Sequence, residues 1–311
     1  MKWQKLGMIF SAEKQGLLYA KSPQAVVFDD FVRIYFSTCQ ADGNKLISFV
    51  KYADYTRDFS SMLSISQHTV LEDGKLGCYD EHGVFPFSPL QTDGRLLAYI
   101  SGWTRRVSVS CDSGIGIAES FDNGNTFVRL GDGPVLSSSL HEPFLVIDGF
   151  VRKFDNQFHI WYIYGTDWRI QKDGIEPERT YKITHAVSED GINWRKEGRQ
   201  IITNKFESEC QALPTVLKIE DKYHLYFCYR HTFDFRTDKE KSYRLGYAFS
   251  DDLLNWERRD DLAGITVSEN GWDSEMMCYP NIFQVENETY LLYNGNHFGK
   301  SGFGIAKLVT G

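Results

Sequence analysis

Four prolines, Pro23, Pro86, Pro214 and Pro280, each open a short apolar run that breaks at a polar turn and returns as a second, aromatic-rich run. After Pro23 the turn is Asp29-Asp30 and the return covers residues 32–37. After Pro86 the turn is Asp93-Gly94, with the return at 96–100. Pro214 leads to a turn at Glu220-Asp221 and a return at 223–229, and Pro280 to a turn at Glu286-Asn287 and a return at 289–293. β-Prone runs of this length bounded by Asp, Asn and Gly are hairpins. A further unit lacks the proline. Its strand is expected at 150–154, its turn at Asp155-Asn156 and its return at 158–164, which puts Asp148 in the proline register. Self-similar units at spacings of about 65 residues mean one supersecondary element used five times.

Each hairpin is followed by more strand. Residues 114–119 lead to Ser120-Phe121-Asp122, residues 184–187 to Ser188-Glu189-Asp190, and residues 245–249 to Ser250-Asp251-Asp252, each with an aromatic a few residues on. The aspartate of such a turn caps backbone N–H groups, so these motifs report fold rather than chemistry. The last unit ends at residues 302–308 with a third strand and no fourth. At the other end of the chain, Trp3-Gln4-Lys5-Leu6-Gly7 reads like Trp194-Arg195-Lys196-Glu197-Gly198, which opens the outer strand of unit three. The expected fold is therefore all-β: a five-bladed β-propeller of four-stranded blades, one domain over residues 1–311, closed into a ring by the N-terminal strand. A β-sandwich with long loops does not account for the repeats.

Composition narrows the function. The aromatic share of 15% suits strands, and a net charge of −8 argues against a nucleic-acid surface. No apolar run is long enough to span a membrane, and the first residues lack a signal peptide's apolar core. The six cysteines form no CxxC pair, so reduced thiols and a cytoplasmic location are expected. Cys210 and Cys278 stand beside glutamates but have no second ligand pair at zinc spacing, so neither a metal nor a cofactor is expected. The oligomeric state is left open.

In a propeller the first strand of each blade lines the axis, and the second ends on the face where the first begins. That geometry gathers two sets of residues at one mouth. Before the first strands stand Asp80-Glu81-His82, His141-Glu142, Glu209 and Asp273-Ser274-Glu275, with Glu81, Glu209 and Glu275 each five residues before their proline. At the ends of the second strands stand Trp103 with Arg105 and Arg106, Asp167-Trp168-Arg169, Arg230-His231 and Asn294-Gly295-Asn296-His297. Carboxylates and amides for hydroxyl groups, tryptophans for sugar faces and arginines for an anion fit a carbohydrate ligand. Like charges around a narrow axis push carboxyl pKa values apart, as glycoside cleavage needs. Glu209, Glu275 and Glu81 are the candidate catalytic residues. Glu142, Asp148, Trp103, Arg105, Asp167, Trp168, Arg230, His231, Asn294, Asn296 and His297 are the candidate sugar ligands. The alternative for the repeated glutamates is a structural device that caps each incoming loop.

The five blades, the Ser-x-Asp turns and the proline-led inner strands resemble the five-bladed propeller glycosidases of families 32, 43, 68, 117 and 130. Residues 272–280, 293–299 and 302–306 also resemble propeller proteins associated with bacterial surface-polysaccharide synthesis. The resemblance to family 43 implies an acid at Glu209 and a blade-three partner at Asp148. It also implies a base at the start of blade one, where Lys21-Ser22-Pro23-Gln24 offers no acid. The resemblance to family 130 implies cleavage by inorganic phosphate held by arginine and histidine, with Arg105, Arg106, Arg230 and His231 as candidates. The expected activity is that of a glycosidase-like enzyme on a bacterial surface glycan or its precursor. A non-hydrolytic carbohydrate-binding protein and a phosphorylase or transferase are the alternatives.

Overall fold

The computed structural model describes residues 1–170 and 176–309. Twenty strands form five antiparallel sheets of four, and each sheet is one blade. Blade one is β2 (Lys21–Val27), β3 (Val32–Asp42), β4 (Lys45–Tyr55) and β5 (Met62–Ile65). Blade two is β6 (Val84–Thr92), β7 (Arg95–Arg105), β8 (Cys111–Ser120) and β9 (Val128–Arg129). Blade three runs from β10 (Phe144–Phe154) and β11 (Gln157–Arg169) to β12 (Glu178–Ser188) and β13 (Arg195–Lys196). Blade four has β14 (Glu209–Ile219), β15 (Lys222–His231), β16 (Arg244–Ser250) and β17 (Glu257–Arg258). Blade five has β18 (Cys278–Val285), β19 (Glu288–Asn294) and β20 (Gly302–Leu308), and its outer strand is β1 (Trp3–Ser11). The N-terminal strand thus closes the ring, pairing Trp3 with Leu308 and Ser11 with Gly302.

The turns between third and outer strands are built as their sequence requires. Asp190 accepts the N–H groups of Ile192 and Asn193, both at 2.8 Å, and Asp252 those of Leu254 and Asn255 at 2.9 and 2.8 Å. These bonds hold both carboxyls well below the usual range, chiefly through the N–H groups of Asn193 and Asn255. Blade one has a fourth such turn with threonine in place of serine: Thr56 Oγ1 donates to Asp58 at 2.7 Å. The turns also join blades. Tyr35 of blade one donates to the Gly124 carbonyl in blade two at 2.8 Å, and Tyr99 of blade two to Gly191 in blade three at 3.0 Å. Both glycines have positive φ, and a Cβ there would sit 2.2 and 2.5 Å from the two tyrosine hydroxyls. At the seam between blades four and five, the Trp3 indole donates to Tyr226 at 2.9 Å.

Every inner strand carries a bulge, and the prolines mark it. Ser22-Pro23, Phe85-Pro86, Leu213-Pro214 and Tyr279-Pro280 each place two residues opposite one on the second strand. Proline suits the bulge because its missing N–H removes no ladder bond there. Blade three makes the same bulge with Asp148-Gly149 opposite Tyr162, and a second with Leu145-Val146. This corrects the sequence reading in two ways. The inner strand starts at Phe144 rather than residue 150, because two bulges hide its alternation. Gly149, not Asp148, takes the proline's place, where a Cβ would meet Ile115 and Ile160 side chains at 3.0 and 3.1 Å. Ser22, Asp148, Leu213 and Tyr279 adopt left-handed φ values of 51°, 62°, 46° and 56°. A bulge re-aims its side chain, and in blades two to five it turns Phe85, Asp148, Leu213 and Tyr279 toward the axis.

Candidate functional site

The re-aimed residues Phe85, Asp148, Leu213 and Tyr279 meet around an axial cavity of about 440 Å³. That volume lies within the usual range for small-molecule sites, roughly 300–1,000 Å³. The cavity opens at the face where the inner strands begin. Its wall includes Lys21 from blade one, Trp103 from blade two, Arg179 and Tyr181 from blade three, and Arg230 and Tyr243 from blade four. Asp148 is the one carboxyl among the described lining residues, against Lys21, Arg179, Arg230 and Arg236.

Asp148 is 5% exposed, and its Oδ2 accepts the Leu213 N–H at 3.1 Å, which also ties blade three to blade four. Burial pushes its carboxyl up to about 7, against the pull of the Leu213 N–H and the nearby Arg179 charge. Arg230 is 2% exposed, and its hydrogen-bond partners among the described residues are neutral groups. Its Nε meets the Tyr181 and Tyr243 hydroxyls at 3.0 and 3.2 Å, and its Nη1 the carbonyls of His231 and Thr232 at 2.7 and 3.2 Å. The guanidinium lies 3.5 Å over the Phe235 ring. Arg179 donates to Ser110 at 3.2 Å, and the Lys21 amine lies 3.8 Å from the Cys39 sulfur and 4.0 Å above the Tyr19 ring.

The repeated acids stand elsewhere. Just before four of the inner strands, or at their first residue, one carboxylate is almost wholly buried: Asp80 (1%), Glu142 (0%), Glu209 (0%) and Asp273 (2%). Each meets a cation on the outer strand of its own blade. The pairs are Asp80–Arg129 at 2.6 Å, Glu142–Lys196 at 2.5 Å, Glu209–Arg258 at 2.8 Å and Asp273–Lys5 at 2.7 Å. Tyr162 also donates to Glu142 at 2.8 Å, Tyr293 to Asp273 at 3.1 Å and the Lys205 N–H to Glu209 at 2.5 Å. The four cations share a local pattern, an aromatic two residues earlier: Phe127-Val128-Arg129, Trp194-Arg195-Lys196, Trp256-Glu257-Arg258 and Trp3-Gln4-Lys5.

Of the residues singled out by sequence, Asp148, Trp103 and Arg230 line the cavity, and the rest do not. Glu81 accepts the Gly77 N–H at 3.2 Å within its own loop, and Glu275 is exposed. Arg105 pairs with Asp42 at 2.9 Å and Asp167 with Arg169 at 2.8 Å. Trp168 is half-buried on β11, across from Arg179. His231 stacks on Phe206 with ring centres 3.9 Å apart. Asn294 joins blades five and one by accepting the Ser22 N–H at 2.8 Å and donating to the Ala20 carbonyl at 2.7 Å. Asn296 accepts the Glu275 N–H at 2.8 Å, and His297 has a left-handed φ of 60° in the loop after β19. Lys21, Arg179, Tyr181, Tyr243 and Tyr279 were not singled out. The place immediately before the repeated proline is the signal that finds Tyr279; the others are strand-end residues with no motif.

No family model matches the chain. It is 30% identical over 314 residues to the uncharacterized proteins MT1551 and Rv1502 of two Mycobacterium tuberculosis strains, covering 99% of this chain and of each relative. Over 138 residues it is 28% identical to the beta-1,2-mannobiose phosphorylase of Thermoanaerobacter sp. (strain X514), covering 42% of this chain and 44% of that protein. Among solved structures it matches a glycoside hydrolase with a TM-score of 0.72 at 17% identity, over 94% of this chain and 88% of that protein. It matches a thermostable family-43 glycoside hydrolase at 0.68 and 12%, over 94% and 90%. These structural likenesses establish the fold that the chain shares with glycoside hydrolases.

Proposed function

Because the chain belongs to the same family as the Mycobacterium tuberculosis proteins MT1551 and Rv1502, on a glycoside hydrolase fold, we propose that it cleaves a glycosidic bond in the axial cavity, with Asp148 giving its proton to the leaving oxygen and water or inorganic phosphate bonding to the anomeric carbon and releasing a proton to solvent. The observation that carries this reading is the placement of Asp148, buried and the one carboxyl among the described lining residues, in the wall of the cavity, where burial pushes its pKa up to about 7. A carboxyl in that range is largely protonated in weakly acidic solution, partly so at neutral pH, and can pass its proton to a leaving oxygen. Glu209, Glu142, Asp80 and Asp273 are ion-paired and buried, and we assign them to holding the blades rather than to proton transfer. We place the substrate among bacterial surface glycans and their precursors, in the cytoplasm, on the resemblance of residues 272–280 and 293–299.

The test is turnover of a disaccharide panel, β-1,2-mannobiose included, with and without inorganic phosphate. Sugar or sugar phosphate release by the wild-type chain, lost by at least about 100-fold in Asp148→Asn, is the expected result. Equal turnover by Asp148→Asn overturns the assignment. A second reading, binding without cleavage, draws on the single carboxyl, since hydrolysis between two carboxylates needs a pair. Tight binding with no product over days is its signature.

A further inference from the structure

Building on the assignment of the axial cavity as the sugar site, we propose that the sugar it takes is acidic: a saccharide bearing its own carboxylate or phosphate ester, held by Arg230, Arg179 and Lys21.

The described wall of the cavity carries an electrostatic imbalance. A buried charge without a counter-charge is costly, and native proteins pair such charges or keep them for a ligand. Arg230 is 2% exposed, yet its hydrogen-bond partners among the described residues are all neutral: two tyrosine hydroxyls and two backbone carbonyls. Its Nη2 has no hydrogen-bond partner among the described residues, while its side chain lines the cavity. Among the same residues Arg179 donates to Ser110, and Lys21 meets a thiol and an aromatic ring. These cations come from blades three, four and one, so among the described residues the shortage of negative charge spans the cavity, whereas Arg236, also in its wall, is paired with Glu178. Asp148, held near 7 by burial, supplies at most a partial charge at neutral pH. Two other buried arginines face carboxylates: Arg33, 5% exposed, has Asp54 at 2.7 Å, and Arg258 has two. Arg258, whose side chain is 7% exposed, has both Glu209 and Asp260 within 2.9 Å.

The surroundings say where the missing anion is attached. Arg230 sits in an aromatic cup of Tyr181, Phe235 and Tyr243, and Phe298 packs against the last two with ring centres 6.0 and 6.1 Å away. A free phosphate ion carries oxygen on every side and would leave several oxygens against these rings. An acidic group at the edge of a sugar ring matches the cup. The carbon skeleton lies against the aromatics, and the oxygens reach Nη2 of Arg230 with Arg179 and Lys21.

The experiment is calorimetric binding to the full-length Asp148→Asn chain, which removes turnover from the readout. The probes are methyl glycosides of mannose, glucose and galactose, each as the neutral hexose, the hexuronate and the 6-phosphate, with inorganic phosphate alone as a further arm. At least one acidic form is expected to bind roughly 10-fold or more tightly than its neutral parent. Lys21→Met, which is at the rim and spares the core, is expected to reduce that preference at least about 3-fold while leaving the neutral parent's affinity in place. Arg230→Lys, which keeps a charge, separates loss of the guanidinium from loss of folding, the latter checked by its melting curve. Equal affinities for acidic and neutral forms overturn the proposal, as does an absence of binding by every acidic form. So does inorganic phosphate that binds alone and tightens a neutral sugar, because the cations then serve a free ion. None of these outcomes bears on whether Asp148 donates a proton, which is read from turnover of the wild-type chain.

Discussion

Two sets of carboxylates stand at the same end of this propeller, and they differ in what faces them. Asp80, Glu142, Glu209 and Asp273 recur blade by blade, and each is matched by a cation of its own outer strand. Asp148 occurs once, on a bulge that turns it to the axis, and its hydrogen-bond donor is a backbone N–H. A buried carboxylate ion-paired with a cation of its own blade acts as a clamp. A buried carboxyl without one is driven toward its neutral form and becomes available for proton transfer. Repetition is therefore a guide to architecture, and the residue that breaks the repeat is where chemistry is best sought.

The contrast can be broken most severely at Glu209. Arg258→Met leaves Glu209 and Asp260 facing each other without their shared cation. A loss of about 3–5 kcal/mol is expected in urea unfolding, with much of it recovered when Glu209 is also replaced by leucine. At Asp148 the effect is set by pH. Its folded carboxyl titrates near 7, while an unfolded aspartate titrates near 4. Between those values the folded chain holds a proton that the unfolded chain has released, so stability falls as pH rises through this window. The cost reaches up to about 4 kcal/mol above pH 7. Asp148→Asn is expected to remove that fall, giving a chain that gains on wild type at pH 8 and not at pH 4. The activity of the wild type should decline above pH 7 for the same reason, as the donor loses its proton.

A smaller effect is expected at the ring closure. The Lys5 side chain is 25% exposed, so Lys5→Met should cost about 1–2 kcal/mol, seen as a lower Tm. Glu275→Gln and Glu81→Gln should be the mildest, within about 0.5 kcal/mol of wild type in the same melts, because neither acid is buried against a cation. A large loss from either one would remove the line drawn between the buried and the exposed acids of these loops.

The fold was legible because its signals are local. Prolines at the bulges, Asp turns and period-two aromatic strands each depend on residues close in sequence, and five repeats reinforce one another. The partial likeness of Trp3-Gln4-Lys5 to Trp194-Arg195-Lys196 even located the closing strand, and it now reads as the aromatic-and-cation pattern that receives the buried acids. The site was less legible because it is assembled across blades. Lys21, Arg179 and Tyr243 are strand-end residues whose meaning comes from facing one another over the axis. The glutamates drew attention because they recur, but nothing next to them in sequence reveals that Arg258 or Lys196, some fifty residues on, meets them. Asp148 was placed one residue from its true register because Gly149 replaces the proline and a second bulge at Leu145-Val146 interrupts the alternation.

The most direct measurement is turnover per folded molecule for Asp148→Asn beside Glu209→Gln, on one substrate, at a temperature where circular dichroism shows both chains folded. Glu209→Gln is expected to keep kcat within about 10-fold of wild type, with its loss appearing in Tm, and Asp148→Asn to lose at least about 100-fold in kcat with its fold intact. The reverse pattern, a silent Asp148→Asn and a folded but inactive Glu209→Gln, would contradict it.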